Sequence, residues 1–179
     1  MRGPVRVRVA TEADLPAIRA LIPDSVRGLS TGFYTPEQIE SSIRYVFGPD
    51  TQLIADGTYF VAVDGDEIAG CGGWSARRTL YGGDQAKGAD DPRLDPATEP
   101  ARIRAFFVHP DHARRGIASA IYDACVAAAR AAGFRALELM ATLPGVPLYR
   151  TFGFHPVESI ESTLPDGVTI GFVRMRREI

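Results

Sequence analysis

The first residues alternate apolar and polar side chains and then change to a helical spacing. Residues 5–9 (VRVRV) alternate valine with arginine, which predicts a half-buried strand, β1. Thr11 is a good N-cap with Asp14 at the third helical position, so a helix is expected to follow. Its apolar residues repeat at helical spacing: Leu15, Ile18, Leu21 and Ile22.

A second helix and a hairpin are predicted next. In YTPEQIESSIRYVFG, Thr35 is placed to be the N-cap, Pro36 the first and Gln38 the third helical residue, and Gly48 lies just past the end. Two strand-like runs follow, β2 at residues 58–64 and β3 at residues 67–74. Because Gly65 and Asp66 alone separate them, they are expected to pair as an antiparallel hairpin.

A long polar connection, residues 75–100, follows the hairpin. It is rich in Gly, Pro and Asp and shows no periodicity. Connections of this length are uncommon inside a compact domain and are usually functional or mobile.

The next three elements predict a βαβ unit. Residues 103–108 have the apolar and aromatic content of a strand, β4, and alanine dominates a long helix over residues 115–132 that Gly133 ends. Residues 135–141 (RALELMA) predict β5, so β4 and β5 are expected to be parallel.

The rest of the chain predicts a short helix and two strands. Pro147 suits the first turn of that helix, Tyr149 falls within it and Gly153 ends it. A sixth strand follows, and residues 168–177 (VTIGFVRMRR) alternate as the last strand, β7, after the turn at residues 165–167. The sequence shows no internal repeat, so residues 1–179 are expected to form one domain.

Composition and charge narrow the classes of function. The chain has 20 basic and 22 acidic residues and a net charge of -2, which disfavours a nucleic-acid partner. The longest apolar stretch is interrupted by Asp123 and Arg130, so no membrane span is expected. The first residues lack an apolar signal core, which favours the cytoplasm. Cys71 and Cys125 have no metal-ligand spacing, and we expect buried side chains and no metal site.

The segment VHPDHARRGIASAIYDACVAAARAAGF carries the first candidate site. A strand ends, a polar loop follows, and Gly116 lies where a long helix begins. The first turn of a helix has amide N–H groups without partners and a positive dipole end, and Arg114 and Arg115 add positive charge. The segment therefore predicts an anion site, the alternative being an ordinary solvated surface.

At these residues the sequence resembles the GNAT superfamily of acyl-CoA-dependent N-acetyltransferases, over nearly the whole chain. The family's cofactor motif, [QR]xxGx[GA], aligns with residues 113–118, although Ala113 replaces the usual Gln or Arg. A second motif, an aromatic residue followed by GF, is similar to LYRTFGF around Tyr149. The Asn and Ala that often precede this tyrosine are Thr142 and Gly145 here.

The resemblance and the element order together imply the fold. We expect an α/β (α+β) domain: a mixed, mostly antiparallel seven-stranded sheet with a central parallel β4/β5 splay, flanked by four helices. The resemblance also implies where acetyl-CoA binds. The backbone of Phe106, Phe107 and Val108 would pair with the pantetheine arm. The pyrophosphate would lie on the helix start, on Arg114, Arg115, Gly116, Ile117, Ala118 and Ser119.

The chemistry implied by the resemblance is attack of a neutral amine on the thioester carbonyl. A backbone amide at the end of β4 would polarise that carbonyl, and Tyr149 would stabilise the leaving thiolate. The alternative for Tyr149 is an aromatic ring packed on the cofactor with a solvated hydroxyl. Glu138 and Glu99 are the candidate general bases, and neither is favoured. His109 and His112 are expected on the surface, and His155 is uninformative.

Three segments are expected to shape the acceptor pocket: the connection at 75–100, the turn near residues 161–167, and the link between the first two helices with Phe33 and Tyr34. Trp74 is either a wall of this pocket or a core residue. The charges of the long connection do not decide between a cationic amine and a carboxylate-bearing acceptor.

The leading hypothesis is an N-acetyltransferase that moves an acetyl group from acetyl-CoA to a small-molecule or peptide amine in a ternary complex. The alternatives are a non-catalytic acyl-CoA-binding sensor and a transferase of longer acyl groups. Exposed sheet edges in this fold often pair between subunits, so a homodimer is possible.

Overall fold

The computed structural model describes residues 4–179, which form one seven-stranded sheet with helices on both faces. The strands are β1 (Arg6–Val9), β2 (Tyr59–Asp64), β3 (Glu67–Ser75), β4 (Ala101–Val108), β5 (Ala136–Thr142), β6 (His155–Thr163) and β7 (Thr169–Glu178). The helices are α1 (Leu15–Ser30), α2 (Pro36–Tyr45), α3 (Thr51–Asp56), α4 (Ile117–Ala131) and α5 (Val146–Thr151). Three 3-10 turns lie at Glu12–Asp14, Pro110–His112 and Leu143–Gly145.

The sheet has the expected mixed topology. Its strand order is β1-β2-β3-β4-β5-β7-β6, and β4 and β5 are the one parallel pair among the strands described. The predicted hairpin of β2 and β3 is present, with Asp64 paired to Glu67 across its turn. The prediction of a mostly antiparallel sheet with a central parallel pair is confirmed.

The expected number of four helices is wrong, because α3 forms a fifth. Asp50 caps it by accepting a hydrogen bond from the Leu53 amide at 3.3 Å, and Gly57 ends it in a left-handed conformation (φ 71). A helix of six residues is too short for its apolar spacing to be read from the sequence. Between residues 4 and 179, no helix combines the length and apolar character needed to cross a membrane.

The sequence signals for α2 act as expected. The Gln38 amide donates to the Thr35 hydroxyl at 3.1 Å, and the Thr35 amide donates to the Gln38 side chain at 2.9 Å. At α1, the predicted N-cap Thr11 begins a 3-10 turn that leads into the helix, and the Thr11 amide donates to Asp14 at 2.8 Å. Local hydrogen bonds therefore fix the starts of these two helices.

Two apolar clusters cover the two faces of the sheet. One packs α4 on the central strands and includes Ile121, Cys125 and Leu137, and the other packs α1, α2 and α3 and includes Ile18 and Cys71. Successive strand residues belong to different clusters because their side chains point to opposite faces. Both cysteines are buried free thiols, as predicted.

The connection between β3 and β4 is packed against the domain. The Leu94 amide donates to the Ala76 carbonyl at 2.7 Å, and the Arg78 amide donates to the Pro92 carbonyl at 2.9 Å. The Leu94 side chain is buried in the same cluster as α4. This long connection is therefore an ordered loop, and its residue Leu94 packs in the core.

We expect Leu94→Ala to lower the free energy of unfolding by about 2–5 kcal/mol, because it removes a buried side chain and leaves a cavity. Urea unfolding followed by circular dichroism measures the change. The control is Val157→Ala on β6, where the side chain is 45% exposed and the expected change is within about 0.5 kcal/mol. Equal effects of the two substitutions would show that Leu94 does not anchor the connection.

Candidate active site

β4 and β5 are paired only at the start of β4. The pairs are Ala101 with Leu137 and Arg102 with Glu138, and no later residue of β4 pairs with β5. Residues 103–108 therefore turn an unpaired backbone edge toward the gap between the strands. This is the splay that the resemblance implied.

A β-bulge at Ala105 changes the direction of β4 at the splay. The register with β3 shifts between Cys71 and Gly73, and Ala105 adopts a left-handed backbone (φ 55), which is rare for a residue other than glycine. As a result Phe106 packs with the cluster around α4, whereas Phe107 packs with the cluster around α1.

Two buried side chains hold the carbonyl of this bulge. The Tyr59 hydroxyl lies 3.2 Å from the Ala105 carbonyl oxygen, and the Cys71 thiol lies 3.8 Å from the same atom. Burial raises the pKa of the Tyr59 phenol well above its usual value and that of the Cys71 thiol to about 12. Both groups therefore keep their protons and remain hydrogen-bond donors to Ala105.

The loop after β4 leads to an open helix start. Arg114 (φ 61) and Gly116 (φ 76) are left-handed, and Gly116 is the N-cap of α4 without a side-chain capping bond. The amides of the first turn, at residues 117–119, precede the first intrahelical hydrogen bonds. Together with the positive end of the helix dipole, these free amides suit an anion, and the anion site expected here stays a prediction.

An ion cluster ties this loop to the β2–β3 hairpin. The Arg115 guanidinium donates to the Asp64 carboxylate at 2.9 Å and lies 2.8 Å from His112 Nδ1. His112 Nδ1 also lies 3.3 Å from Asp64, and His112 is buried. The expectation that His112 is a surface residue is therefore wrong, because its ring fills the space between loop and hairpin. His109 is partly exposed and accepts a hydrogen bond from the Asp111 amide.

A cavity of about 400 Å³ joins the splay and the helix start. Its walls include Leu29 and Phe33 from the α1 side, residues 106–108 of β4, and Thr142, Pro144, Gly145 and Tyr149. Every predicted cofactor residue lines it except Arg115. The Arg115 side chain instead turns to the β2–β3 hairpin, where its Nη1 pairs with Asp64.

Tyr149 stands where this cavity meets a second one. Its ring packs edge-on against Phe106, Phe152 and Phe154, with ring centroids 5.9–6.5 Å apart. Its hydroxyl makes no hydrogen bond to a residue within 4–179. Burial raises the pKa of the Tyr149 phenol above its ordinary value of 10, with a smaller contribution from Cys125. Tyr149 is therefore a neutral phenol that lines both cavities.

The second cavity, of about 80 Å³, lies between the splayed strands. It shares Phe47, Phe106, Phe107, Thr142 and Tyr149 with the first cavity. Residues 80–83 of the long connection also line it. Arg104 of β4 also lines it. The connection at 75–100 was expected to shape the acceptor pocket; residues 80–83 of it line this cavity, and its use by an acceptor stays a prediction.

The two candidate bases lie outside both cavities. Glu138 faces two guanidinium groups, that of Arg174 at 3.2 Å and that of Arg102 at 3.7 Å. Glu99 accepts hydrogen bonds from the Asp95 amide at 2.7 Å and from Arg78 at 3.4 Å. Both carboxylates are engaged in ion pairs and do not line the ligand space. His155, exposed on β6, lines neither cavity.

The other expected pocket residues divide between site and core. Phe33 lines the larger cavity and is half exposed. Tyr34 is buried: its hydroxyl donates to the Gly171 carbonyl at 2.6 Å and accepts from the Leu143 amide at 2.9 Å. Trp74 is a core residue packed edge-on against Phe134 and lines neither cavity. The turn near residues 161–167 also lies outside them.

The site also includes residues that sequence reasoning missed, chiefly Arg104, Tyr59 and Cys71. An arginine at position 104, inside the apolar run of β4, was a usable signal, because a buried guanidinium needs a partner. That partner is Asp50, which sequence reasoning also passed over although it precedes a helix as a cap residue. Nothing local marks Tyr59 and Cys71, since both look like ordinary core residues.

A comparison with models of protein families identifies the family of the chain. The family model described as "Acetyltransferase (GNAT) family" matches residues 24–154, which include the splay, the helix start and Tyr149. The chain therefore belongs to the GNAT family of acetyltransferases, and the resemblance drawn from the sequence is confirmed. A comparison with curated proteins finds no match.

Solved structures share the fold at low sequence identity. A GCN5-related N-acetyltransferase from Rhodopseudomonas palustris superposes with a TM-score of 0.72 at 18% identity, covering 100% of this chain and 98% of the other. The PaiA N-acetyltransferase from Thermoplasma acidophilum, solved in complex with coenzyme A, gives 0.66 at 13% identity with 99% and 100% covered. A ribosomal-protein-alanine N-acetyltransferase from Brucella melitensis gives 0.64 at 17%, with 97% and 99% covered.

The bulge yields a prediction about Tyr59. Tyr59→Phe leaves the buried Ala105 carbonyl with the Cys71 thiol alone, so we expect a loss of about 1–3 kcal/mol in the free energy of unfolding. We also expect faster hydrogen exchange at the Phe106 and Phe107 amides, measured by NMR. Tyr45→Phe is the control, because the Tyr45 hydroxyl has no hydrogen-bond partner among residues 4–179. Unchanged exchange at both amides would contradict a role of Tyr59 in holding the bulge.

Proposed function

We propose that the protein transfers an acetyl group from acetyl-CoA to a primary amine of a small molecule or peptide, by direct attack in a ternary complex. The supporting observation is a single ligand space in which an unpaired strand edge, an open helix start and a protonated Tyr149 meet. The strand edge suits the amides of acetyl-CoA, the helix start suits its phosphates, and Tyr149 suits its sulfur. Membership in the GNAT family supports the same assignment.

The residues present fit the parts of acetyl-CoA. The amide chain of pantetheine can pair with the free edge of residues 106–108 as an added strand. The pyrophosphate can accept hydrogen bonds from the amides of residues 117–119, beside the exposed Arg114 side chain. Apolar Leu29 and Phe33 at the wall of the larger cavity suit the carbon skeleton of the arm. Each contact uses a group that the fold leaves available.

The proposed chemistry is one addition and one elimination at the thioester carbon. The amine loses its ammonium proton to water and its nitrogen lone pair attacks the carbonyl carbon, so that the C–N bond forms. A β4 amide next to the bulge stabilises the negative oxygen. The C–S bond then breaks, the electron pair stays on sulfur, and the amide nitrogen releases its extra proton to water.

Tyr149 is proposed as a hydrogen-bond donor to the leaving thiolate. With ordinary pKa values near 10 for a phenol and about 8.5 for a thiol, full proton transfer is uphill by about 2 kcal/mol. Burial raises the pKa of Tyr149 further and increases that difference. A neutral donor still stabilises the thiolate, because hydrogen bonds to charged groups are stronger than those between neutral groups.

Calorimetric titration with acetyl-CoA, CoA and a long-chain acyl-CoA, followed by a thiol-release screen over amines, tests this function. We expect acetyl-CoA to bind and at least one amine to release thiol above background. Binding without release for any amine would favour the sensor alternative, and preference for the long-chain substrate would favour a transferase of longer acyl groups. No binding of any CoA would overturn the proposal. A cytoplasmic location and a homodimer stay predictions.

Tyr149→Phe is expected to lower kcat about 10- to 100-fold while the Kd for acetyl-CoA changes little, because the lost hydrogen bond forms fully only with the thiolate. Steady-state kinetics and calorimetry separate the two effects. The control is Tyr122→Phe, because Tyr122 stacks on Phe152 in the same aromatic cluster but donates no hydrogen to the ligand space. An unchanged kcat in Tyr149→Phe would remove Tyr149 from the mechanism.

Gly116→Val is expected to weaken acetyl-CoA binding about tenfold or more, because a side chain there intrudes on the helix start. Gly167→Val is the matched control. Both glycines have a positive φ (76 and 86), and a Cβ added at either would meet no atom within 4 Å, but Gly167 lies outside the cavities. Both substitutions carry similar backbone strain, so a difference between their Kd values for acetyl-CoA, measured by calorimetry, reports the effect of a side chain at the helix start. Equal affinities of the two variants would count against the pyrophosphate site.

A further inference from the structure

The second cavity contains one formally charged side chain among the described residues that line it, Arg104. Its other walls are apolar, aromatic, glycine or hydroxyl-bearing, with Leu80, Tyr81 and Met140 opposite the strand. No carboxylate belongs to the lining within residues 4–179. A polycationic acceptor would therefore lose its hydration here without meeting an opposite charge.

Arg104 is held in place from behind. Its Nη2 lies 2.6 Å from Asp50 Oδ2 and donates to the Gly82 carbonyl at 2.7 Å. Asp50 has no exposed surface, and Lys87 of the long connection pairs with its other oxygen. Asp84, which lies 3.5 Å from Lys87 and is half exposed, and Asp91 also act on the charge of Arg104, but less strongly than Asp50. The buried guanidinium is thus fixed in position, and its residue lines the cavity.

The Nε donor of this guanidinium remains unused. The Nε–H of Arg104 is buried and has no hydrogen-bond partner. A buried donor without an acceptor is unfavourable, and the penalty is removed when a ligand supplies an oxygen. Desolvation lowers the pKa of Arg104 and Asp50 raises it, yet an arginine remains charged under all ordinary conditions. Its surroundings therefore suit an anionic or strongly polarised oxygen.

Arg104 and the reaction centre are also close along β4. Phe106 and Phe107 lie two and three positions after Arg104, which is about 7–10 Å along a strand. The arginine side chain and a small ligand can bridge this distance together. An acceptor whose amine reaches the splay would then carry its oxygen group only a few bonds from the nitrogen.

We propose that the acceptor is a small amine that carries a carboxylate, as an amino acid does, and that Arg104 binds this carboxylate in the second cavity. This inference rests on the proposed transferase function. It selects a carboxylate-bearing acceptor over a cationic amine, a choice that the charges of the long connection do not decide. The related source of the same chemistry is a peptide N-terminus, which presents a neutral carbonyl oxygen in place of the carboxylate.

Matched acceptors test the inference on the wild-type protein. Leucine, leucinamide and 3-methylbutylamine share one side chain and differ in bearing a carboxylate, a neutral carbonyl or neither, and spermidine represents polycations. The readout is kcat/KM for thiol release, expressed per unprotonated amine from pH profiles. We expect leucine to exceed 3-methylbutylamine about tenfold or more, with spermidine the poorest. The same comparison with alanine, alaninamide and ethylamine covers a smaller side chain.

Arg104→Lys tests the residue itself. Lysine keeps a charge for Asp50 but lacks the planar fork and the Nε–H, so the leucine preference is expected to fall about tenfold while the Kd for acetyl-CoA is unchanged. Arg102→Lys is the control on the same strand, because Arg102 faces Glu138 and lies outside the cavity. A thermal melt verifies that each variant is folded. If Arg104→Lys does not fold, the wild-type acceptor series decides alone.

The outcomes separate this inference from the proposed function. Thiol release with 3-methylbutylamine or spermidine equal to or faster than with leucine overturns the inference and leaves the transferase intact. A faster reaction with leucinamide than with leucine assigns the site to a peptide N-terminus and also overturns it. An unchanged preference in Arg104→Lys removes Arg104 from recognition. Loss of acetyl-CoA binding or of all thiol release in the wild type overturns both.

Discussion

β4 and β5 part after Arg102, and the ligand cavities, the free backbone edge and the placement of Tyr149 all depend on that parting. Two strands in the middle of a sheet normally satisfy each other's hydrogen bonds, and leaving them apart has an energetic cost. The bulge at Ala105 helps to make the arrangement stable, because Tyr59 and Cys71 satisfy the carbonyl that leaves the ladder. The unpaired edge is thus part of a fixed structure that a ligand can complete.

The long connection is coupled to the same strand by charge. Lys87 of the connection and Arg104 of β4 meet on one buried carboxylate, Asp50, which also caps α3. Removing one member of such a group leaves the others buried without compensation, which is strongly unfavourable. The connection therefore acts as a wall of the ligand space, although its composition alone resembles that of a mobile loop.

The sequence predicts what local patterns determine. Strand alternation, the reciprocal cap of Thr35 with Gln38 and the glycine at the start of α4 are each decided within a few residues, and they were predicted correctly. The bulge, the burial of His112 and the ion cluster of Asp50 depend on partners distant in sequence. Helix α3 was missed for another reason, because a helix of six residues is too short to show a helical period in its apolar positions. The site could thus be located from motifs, but its acceptor side could not.

The chemistry available at the splay is that of fixed dipoles more than of proton carriers. Among residues 4–179 no carboxylate lines either cavity, and the one imidazole that does, His112, has its Nδ1 engaged by Arg115 and Asp64. Tyr149 holds its proton firmly because burial raises its pKa. Rate enhancement would then come from an oriented amide at the carbonyl oxygen, a donor at the sulfur and the alignment of two substrates. Such a site favours acceptors that it can orient, which is the task that a fixed guanidinium at Arg104 is suited to perform.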